Sequence, residues 1–150
     1  MRLLLSCLLF IFCTPIFAQD SINNNKDGIQ VIHSFIQDLA DQEKAIDVIL
    51  SQHLLVSNPS DELYDYLEVS LQEVRINLMT KKIAEIKYIP FAKMPRRDVK
   101  DIDPEDLDTN NMYFLHYRNR QMLAVYVENG KIGSFTLVSK GYNRAHFIKY

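Results

Sequence analysis

The sequence predicts an α+β domain in which N-terminal helices pack on one face of a curved, cone-like antiparallel sheet of four or five strands. Three observations indicate this class. Apolar residues recur at helical spacing between residues 29 and 78. The apolar period then changes to two from residue 83 onward. Finally, Asn129-Gly130 separates two alternating runs, which is typical of a hairpin. Because the helices come first and the strands last, we expect two layers.

The first eighteen residues have the parts of a signal peptide. Arg2 supplies a positive start, residues 3–12 form an apolar run too short for a lone membrane span, and Ala18 precedes a polar change. We therefore expect cleavage near Gln19 and export to a bacterial periplasm or to the extracellular space. An uncleaved anchor is the main alternative.

The rest of the chain is expected to form one domain without a disulfide. Cys7 and Cys13 are the only cysteines, and both lie in the predicted leader, where neither is placed to become a lipid anchor. A mature chain of this length can bury a core without covalent cross-links. Residues 19–28 are polar and Asn-rich, so we expect a flexible lead-in followed by a single domain at residues 29–150.

Two helical patterns follow the lead-in. In the first, polar residues lie opposite an apolar stripe at i, i+3, i+4 and i+7: Ile32, Phe35, Ile36 and Leu39. The second pattern continues the helical spacing from Ile46 to Leu54. Residues 40–43 either bend the chain between the two patterns or join them into one rod, and the sequence leaves both arrangements open.

A third helix is predicted from Pro59 to Leu78. Asn58 offers a capping side chain, Pro59 follows at a position where its missing N–H costs nothing, and acids then meet the positive end of the helix dipole. The apolar stripe of this helix steps by four, four, three and four residues: Leu63, Leu67, Leu71, Val74 and Leu78. We expect this stripe to pack in the core, because it is too short for a stable coiled-coil seam.

The region between residues 83 and 117 predicts two strands and a loop. Ile83 to Phe91 has an apolar period of two and reads as a strand ended by Pro90. In the loop that follows, Asp103-Pro104-Glu105-Asp106 predicts a single helical turn. The same stretch lacks the glycine and ligand spacing of a calcium loop. Met112 to Tyr117 predicts the next strand.

The Asn129-Gly130 turn predicts a hairpin from Met122 to Val138. Its register places these pairs opposite each other on one face: Glu128 and Lys131, Tyr126 and Gly133, Ala124 and Phe135, Met122 and Leu137. Ala145 to Tyr150 is expected to close the sheet. Both faces of the hairpin are substantially apolar, so each must be covered. We expect the helices to cover one face and to leave the other for a ligand, a second subunit or a partner.

This layout resembles the nuclear-transport-factor-2-like superfamily, also called cystatin-like. The residues that carry the resemblance are the helix Pro59–Leu78, the strand Ile83–Phe91 and the Met122–Val138 hairpin with its Asn-Gly turn. The resemblance implies a pocket between the helices and the concave face of the sheet. It also implies that a catalytic member places an Asp, His or Tyr inside that cone, for which His116 and Tyr126 are the nearest candidates.

The function expected from the sequence is that of a small exported binding or interaction domain, with a small apolar ligand, an envelope protein or a second copy as partner. Ligand-pocket candidates are Phe114, His116, Tyr126 and Phe135. Candidates for a homodimer contact on the outer face of the sheet are Val125, Val127, Ile132 and Thr136. One alternative is a dehydratase or isomerase without a cofactor. Another is a subunit of an envelope assembly that docks through its acidic helices.

Composition and residue spacing argue against cofactor sites, metal sites and nucleic-acid binding. The four glycines form no phosphate-binding loop, dinucleotide fingerprint or nucleophile elbow, so no cofactor is expected. The four histidines, at positions 33, 53, 116 and 146, lack metal-ligand spacing, and the mature chain would have no cysteine, so no metal site is expected. A formal net charge of −2 on an exported chain disfavours nucleic acid as a partner.

Overall fold

The structure, a computed structural model, describes residues 17–150, with side chains from Asp27 onward. Nearly all of the predicted signal peptide lies outside the described residues. Three helices precede the strands: α1 (Phe17–Ala40), α2 (Ile46–His53) and α3 (Asp61–Leu78). Residues 41–45 are not helical, so the chain bends between α1 and α2 and the two do not form one rod.

The sequence predicts that folded structure starts at Ile29, but helix α1 begins earlier, at Phe17. Gly28 lies in this helix and packs against the ring of the buried Tyr113. A Cβ atom at this position would overlap the Tyr113 hydroxyl, so the close approach of α1 to the sheet requires glycine. The predicted apolar stripe of α1 is confirmed, because all four of its side chains are fully buried: Ile32, Phe35, Ile36 and Leu39.

Helix α3 begins at Asp61, and its cap is Ser60. The Ser60 hydroxyl accepts a hydrogen bond from the backbone N–H of Leu63 at 3.2 Å. The expectation that Asn58 caps the helix is therefore wrong. The cap lies two residues later in the chain, and Pro59 lies outside the helix. The core stripe is confirmed, with Leu67, Leu71 and Leu78 buried against α1 and the sheet.

Two polar side chains, Arg75 and Asp38, hold the bend between α1 and the later helices. The buried guanidinium of Arg75 on α3 donates from Nε to the Leu39 carbonyl at 3.0 Å and from Nη2 to the Lys44 carbonyl at 2.6 Å. Asp38 lies 2.6 Å from both Lys44 Nζ and His53 Nε2. Hydrogen bonds from Lys44, and then from His53, hold the pKa of the Asp38 carboxyl below its usual range.

Within residues 17–150, six strands form two antiparallel sheets. The main sheet has the order β1-β2-β3-β4 and a separate hairpin pairs β5 with β6. The strand bounds are β1 Lys87–Pro90, β2 Met112–Tyr117, β3 Arg120–Glu128, β4 Lys131–Ser134, β5 Leu137–Gly141 and β6 Arg144–Phe147. The α+β class is thereby confirmed. The C-terminal segment does not close the main sheet as expected, because Ala145 pairs with Ser139 of β5 and bridges Ile102.

The segment between α3 and β2 differs from the sequence prediction. Strand β1 starts only at Lys87, since residues 83–85 form a 3₁₀ turn. A short helix, α4 (Arg96–Val99), was not predicted. The expected helical turn at residues 103–106 is instead a tight turn, closed by a hydrogen bond from Leu107 N–H to the Pro104 carbonyl at 2.9 Å. Glu105 has a φ of 51° there, which is incompatible with a helix.

The predicted Asn129-Gly130 hairpin turn is confirmed, with φ angles of 51° and 71°. Glu128 pairs with Lys131 as expected. A bulge between Tyr126 and Val127 then shifts the register by one residue, so Tyr126 pairs with Ser134 and not with Gly133. Strand β4 ends at Ser134, and the two more distant predicted pairs do not form.

The chain itself covers both faces of the main sheet. Tyr113, Leu115, Val125, Val127 and Ile132 pack against the helices. The opposite face meets α4, the loops around it and β6 in a second core: Met94, Val99, Met112, Phe114, Ala124, Tyr126 and Phe147.

The residues predicted to form a dimer contact on the outer face of the sheet therefore do not lie on that face. Val125, Val127 and Ile132 are buried under the helices, and Thr136 lies beyond β4, where its Oγ1 is 2.6 Å from the Tyr150 hydroxyl. Strand alternation shows which side chains share a face, but not which face the helices choose. The homodimer itself stays a prediction.

Candidate functional site

The four ligand-pocket candidates do not converge on one cavity. Phe135 packs on the helix side, 6.3 Å from the Phe35 ring. Phe114 and Tyr126 lie in the second core on the opposite face. His116 is half-buried near the end of β2, and its Nε2 atom has no hydrogen-bond partner within the described residues. The two sheet faces separate these side chains, so the predicted pocket is not formed by them.

The two catalytic candidates are also far apart. Tyr126 pairs with Met112 at one end of β2, whereas His116 lies four residues further along that strand. At about 3.3 Å per residue the separation along the strand is about 13 Å. His116 and Tyr126 are therefore too far apart to act together on one small substrate, and the dehydratase or isomerase alternative stays a prediction.

Tyr126 instead lines a surface cleft of about 450 Å³, which we call the Tyr126 cleft. Three parts of the chain build it: the tight turn before β2, the end of β3, and β6 with the residues after it. Its lining residues are Glu105, Asp106, Leu107, Tyr126, Glu128, His146, Phe147, Ile148 and Lys149.

The floor of the Tyr126 cleft is aromatic. The rings of Tyr126 and Phe147 are both nearly fully buried, with centroids 6.3 Å apart and planes inclined by 43°. Glu128 is two residues after Tyr126 on β3 and so lies on the same side of the sheet. Burial, and then the charge of Glu128, raises the pKa of the Tyr126 phenol. The hydroxyl is thereby kept protonated as a hydrogen-bond donor or acceptor.

Two polar side-chain pairs form the rim of the cleft. Lys149 Nζ donates a hydrogen bond to Glu128 Oε1 at 2.9 Å and lies 2.7 Å from Oε2, and this pairing raises the pKa of Lys149. His146 Nδ1 lies 3.0 Å from Glu105 Oε1. Hydrogen bonds from Lys140, and then from His146, lower the pKa of the Glu105 carboxyl. The Glu105 carboxyl is therefore ionised at neutral pH.

A further ion cluster holds the tight turn against the β5–β6 hairpin. Asp103 lies 3.5 Å from Lys140 Nζ and 3.3 Å from Arg144 Nη1. Asp103 Oδ1 also accepts the Glu105 N–H at 3.2 Å, and this bond is the main reason that the pKa of Asp103 is lowered. The rim of the cleft thus has a defined position relative to its floor.

No family model, curated protein or solved structure matches this chain. The superfamily resemblance stays a prediction. Within residues 27–150 no three or more His, Asp or Glu side chains are grouped so that they could hold a metal ion. Among the described helices, none has the length and apolarity needed to span a membrane.

Sequence reasoning found only Tyr126 of this cleft. Glu105, Glu128, His146 and Lys149 were missed because they lie up to 44 positions apart, on a loop, a strand end and the C-terminal segment. The one available signal was the spacing of Tyr126 and Glu128, which places both on one side of β3. Their association with His146 depends on β6 folding back over the second sheet face.

Proposed function

We propose that this protein is a small exported binding domain and that the Tyr126 cleft holds its ligand. The observation that carries the proposal is the meeting of two polar side-chain pairs, Glu128–Lys149 and Glu105–His146, above a buried aromatic floor. Ligand sites typically combine apolar walls with a few convergent polar groups. These two pairs supply the polar groups, and Tyr126, Phe147 and Leu107 supply the walls.

The charges favour a small polar ligand that carries a cationic group, rather than the apolar ligand that the sequence suggested. Glu105, Asp106 and Glu128 contribute three carboxylates to the lining, against one ammonium from Lys149 and the imidazole of His146. An ionised carboxylate has about four lone-pair positions, so each glutamate can accept a further hydrogen bond beside its present partner. A ligand ammonium or guanidinium would use this remaining capacity.

A titration followed by ¹H–¹⁵N NMR tests this proposal on the purified protein. We expect arginine and putrescine to shift the amide signals of residues 126–128 and 146–149, and uncharged glucose to shift them less. The Glu128→Gln variant keeps the side-chain shape but removes the charge, so we expect roughly tenfold weaker binding.

The matched control is Glu85→Gln. Glu85 pairs with Lys82 at 3.3 Å on a surface turn and does not line the cleft, so its variant should bind both amines like the unmodified protein. Absence of shifts in the cleft at millimolar arginine and putrescine would contradict the proposal. So would equal weakening by the two glutamate variants.

A second candidate function, a subunit of an envelope assembly, is favoured by the outer side of α3. Four exposed apolar side chains lie on this side: Tyr66, Val69, Ile76 and Met79. The acids between them form no ion pair within the described residues. This surface combines exposed apolar area with unneutralised negative charge, which suits a partner with a basic, apolar surface.

Size-exclusion chromatography of detergent-solubilised envelopes tests the assembly function. We expect the unmodified protein to elute with a larger complex and the Val69→Lys/Ile76→Lys variant to elute alone. The control is Tyr142→Lys, which changes a fully exposed side chain on the β5–β6 turn. Elution of the unmodified protein as a free monomer would contradict this function.

A further inference from the structure

A second depression, which we call the Arg118 groove, lies at the opposite end of the main sheet from the Tyr126 cleft. It has a volume of about 440 Å³ and is lined by Asn77, Lys81, Tyr117, Arg118, Arg120, Gln121 and Met122. Arg120 and Tyr126 are six residues apart on β3, so the two sites are separated by about 20 Å. The Arg118 groove is therefore independent of the function proposed above.

The groove concentrates positive charge. Its lining includes three cations, Lys81, Arg118 and Arg120, and no carboxylate. Neither arginine forms an ion pair with any of the described residues. Glu73 lies one turn earlier on α3 and lines an adjoining depression, not the groove itself. A cluster of unneutralised cations in a concave surface attracts and retains an anion.

Two of the cations share one aromatic ring. Arg118 Cζ lies 5.3 Å from the Tyr117 ring centroid, and Lys81 Nζ lies 5.9 Å from the same centroid. Lys81 is held in place because it donates to the Asn77 carbonyl at 2.7 Å, at the C-terminal end of α3. The ring attracts each cation, but the cations repel each other. An anion bound in the groove would reduce this repulsion.

The backbone of the β2–β3 turn is strained at Arg118. Arg118 and Asn119 have φ angles of 48° and 64°, both in the left-handed region. Asparagine adopts this conformation readily and favours such two-residue turns, whereas arginine does not. The strained position is the one that places the guanidinium over Tyr117. Backbone strain that positions a charged group is typical of binding sites.

We propose that the Arg118 groove binds a phosphate group. The planar guanidinium groups of Arg118 and Arg120 each offer paired N–H donors that match phosphate oxygens, and Lys81 adds a point charge. The side-chain amides of Asn77 and Gln121, which also line the groove, supply neutral donors. The phosphate belongs either to a soluble phosphate monoester or to the headgroup of an anionic lipid, since both present the same oxyanion.

Two assays on the purified protein at low ionic strength distinguish these sources. The first is an NMR titration with inorganic phosphate and with glycerol 3-phosphate. The second is co-sedimentation with phosphatidylcholine vesicles that contain or lack phosphatidylglycerol. We expect binding in at least one assay, and we expect it to weaken as sodium chloride is added.

The most informative variant is Arg118→Asn. Asparagine fits the left-handed backbone better than arginine, so we expect an equal or higher thermal midpoint together with at least tenfold weaker binding. Arg120→Gln, on an exposed strand position, should weaken binding by a similar factor. The matched control is Arg97→Gln, because Arg97 is exposed, pairs with Asp98 and lies outside the groove.

Each outcome bears on the proposal. Binding of the soluble phosphates alone supports a phosphate-monoester ligand, and binding of phosphatidylglycerol vesicles alone supports a lipid headgroup. Binding in neither assay overturns the proposal. Binding that survives both Arg118→Asn and Arg120→Gln overturns it as well, as does an equal loss in Arg97→Gln, which would indicate only a general charge effect.

Discussion

Replacing Tyr150 with alanine is expected to reduce the free energy of unfolding by about 4 kcal/mol, the largest loss among the variants considered. The Tyr150 ring is nearly fully buried and meets the Phe135 ring edge-on, with centroids 5.4 Å apart. Its hydroxyl accepts the Phe135 N–H at 3.1 Å. The backbone carbonyl of the same residue accepts the Ser57 N–H at 2.8 Å. The variant would therefore leave a cavity between the helices and the sheet.

Urea denaturation followed by circular dichroism measures this effect. Tyr150→Phe keeps the ring and removes only the hydroxyl bonds, so we expect a loss of about 1 kcal/mol. The control Tyr142→Ala removes a tyrosine that is fully exposed at the β5–β6 turn and should change stability by less than about 0.5 kcal/mol. Equal losses in Tyr150→Ala and Tyr142→Ala would show that Tyr150 is not part of the core.

Replacing Arg75 with methionine is expected to reduce the free energy of unfolding by about 3 kcal/mol. The guanidinium donates to the carbonyls of Leu39 and Lys44, and it places positive charge at the C-terminal end of α1. Methionine fills similar volume but leaves both carbonyls without this donor. Because Leu39 is in the last turn of α1, its carbonyl has no helical partner to replace it.

The same denaturation experiment, with two further variants, separates the hydrogen bonds of Arg75 from its packing. Arg75→Lys keeps the charge but lacks the planar guanidinium that reaches both carbonyls. Its loss in free energy of unfolding should therefore be intermediate. Arg96→Met changes an exposed arginine on α4 and should be nearly neutral. A loss below about 1 kcal/mol in Arg75→Met would mean that water satisfies the two carbonyls in its place.

The candidate sites could be predicted only where the signal was local. The Asn129-Gly130 pair predicts a hairpin turn because few residue pairs adopt two left-handed backbone conformations in succession. The same reasoning applies to the β2–β3 turn, where Asn119 was a usable signal for the strained backbone beside Arg118. No local pattern connects Glu105 with His146, since their pairing depends on a turn and a strand that meet through long-range packing.

The sequence by itself determined helices α1 to α3, their buried stripes, the α+β class and the need to cover two apolar sheet faces. These follow from periodicity, because a side chain repeats every 3.6 residues on a helix and every two on a strand. Only the tertiary structure decided which segment covers which face. The free energy of that choice comes from apolar contacts between residues distant in the chain, such as Tyr126 with Phe147 or Phe35 with Phe135. The bulge after Tyr126 shifts the β3–β4 register by one residue, and the turn sequence alone did not predict this shift.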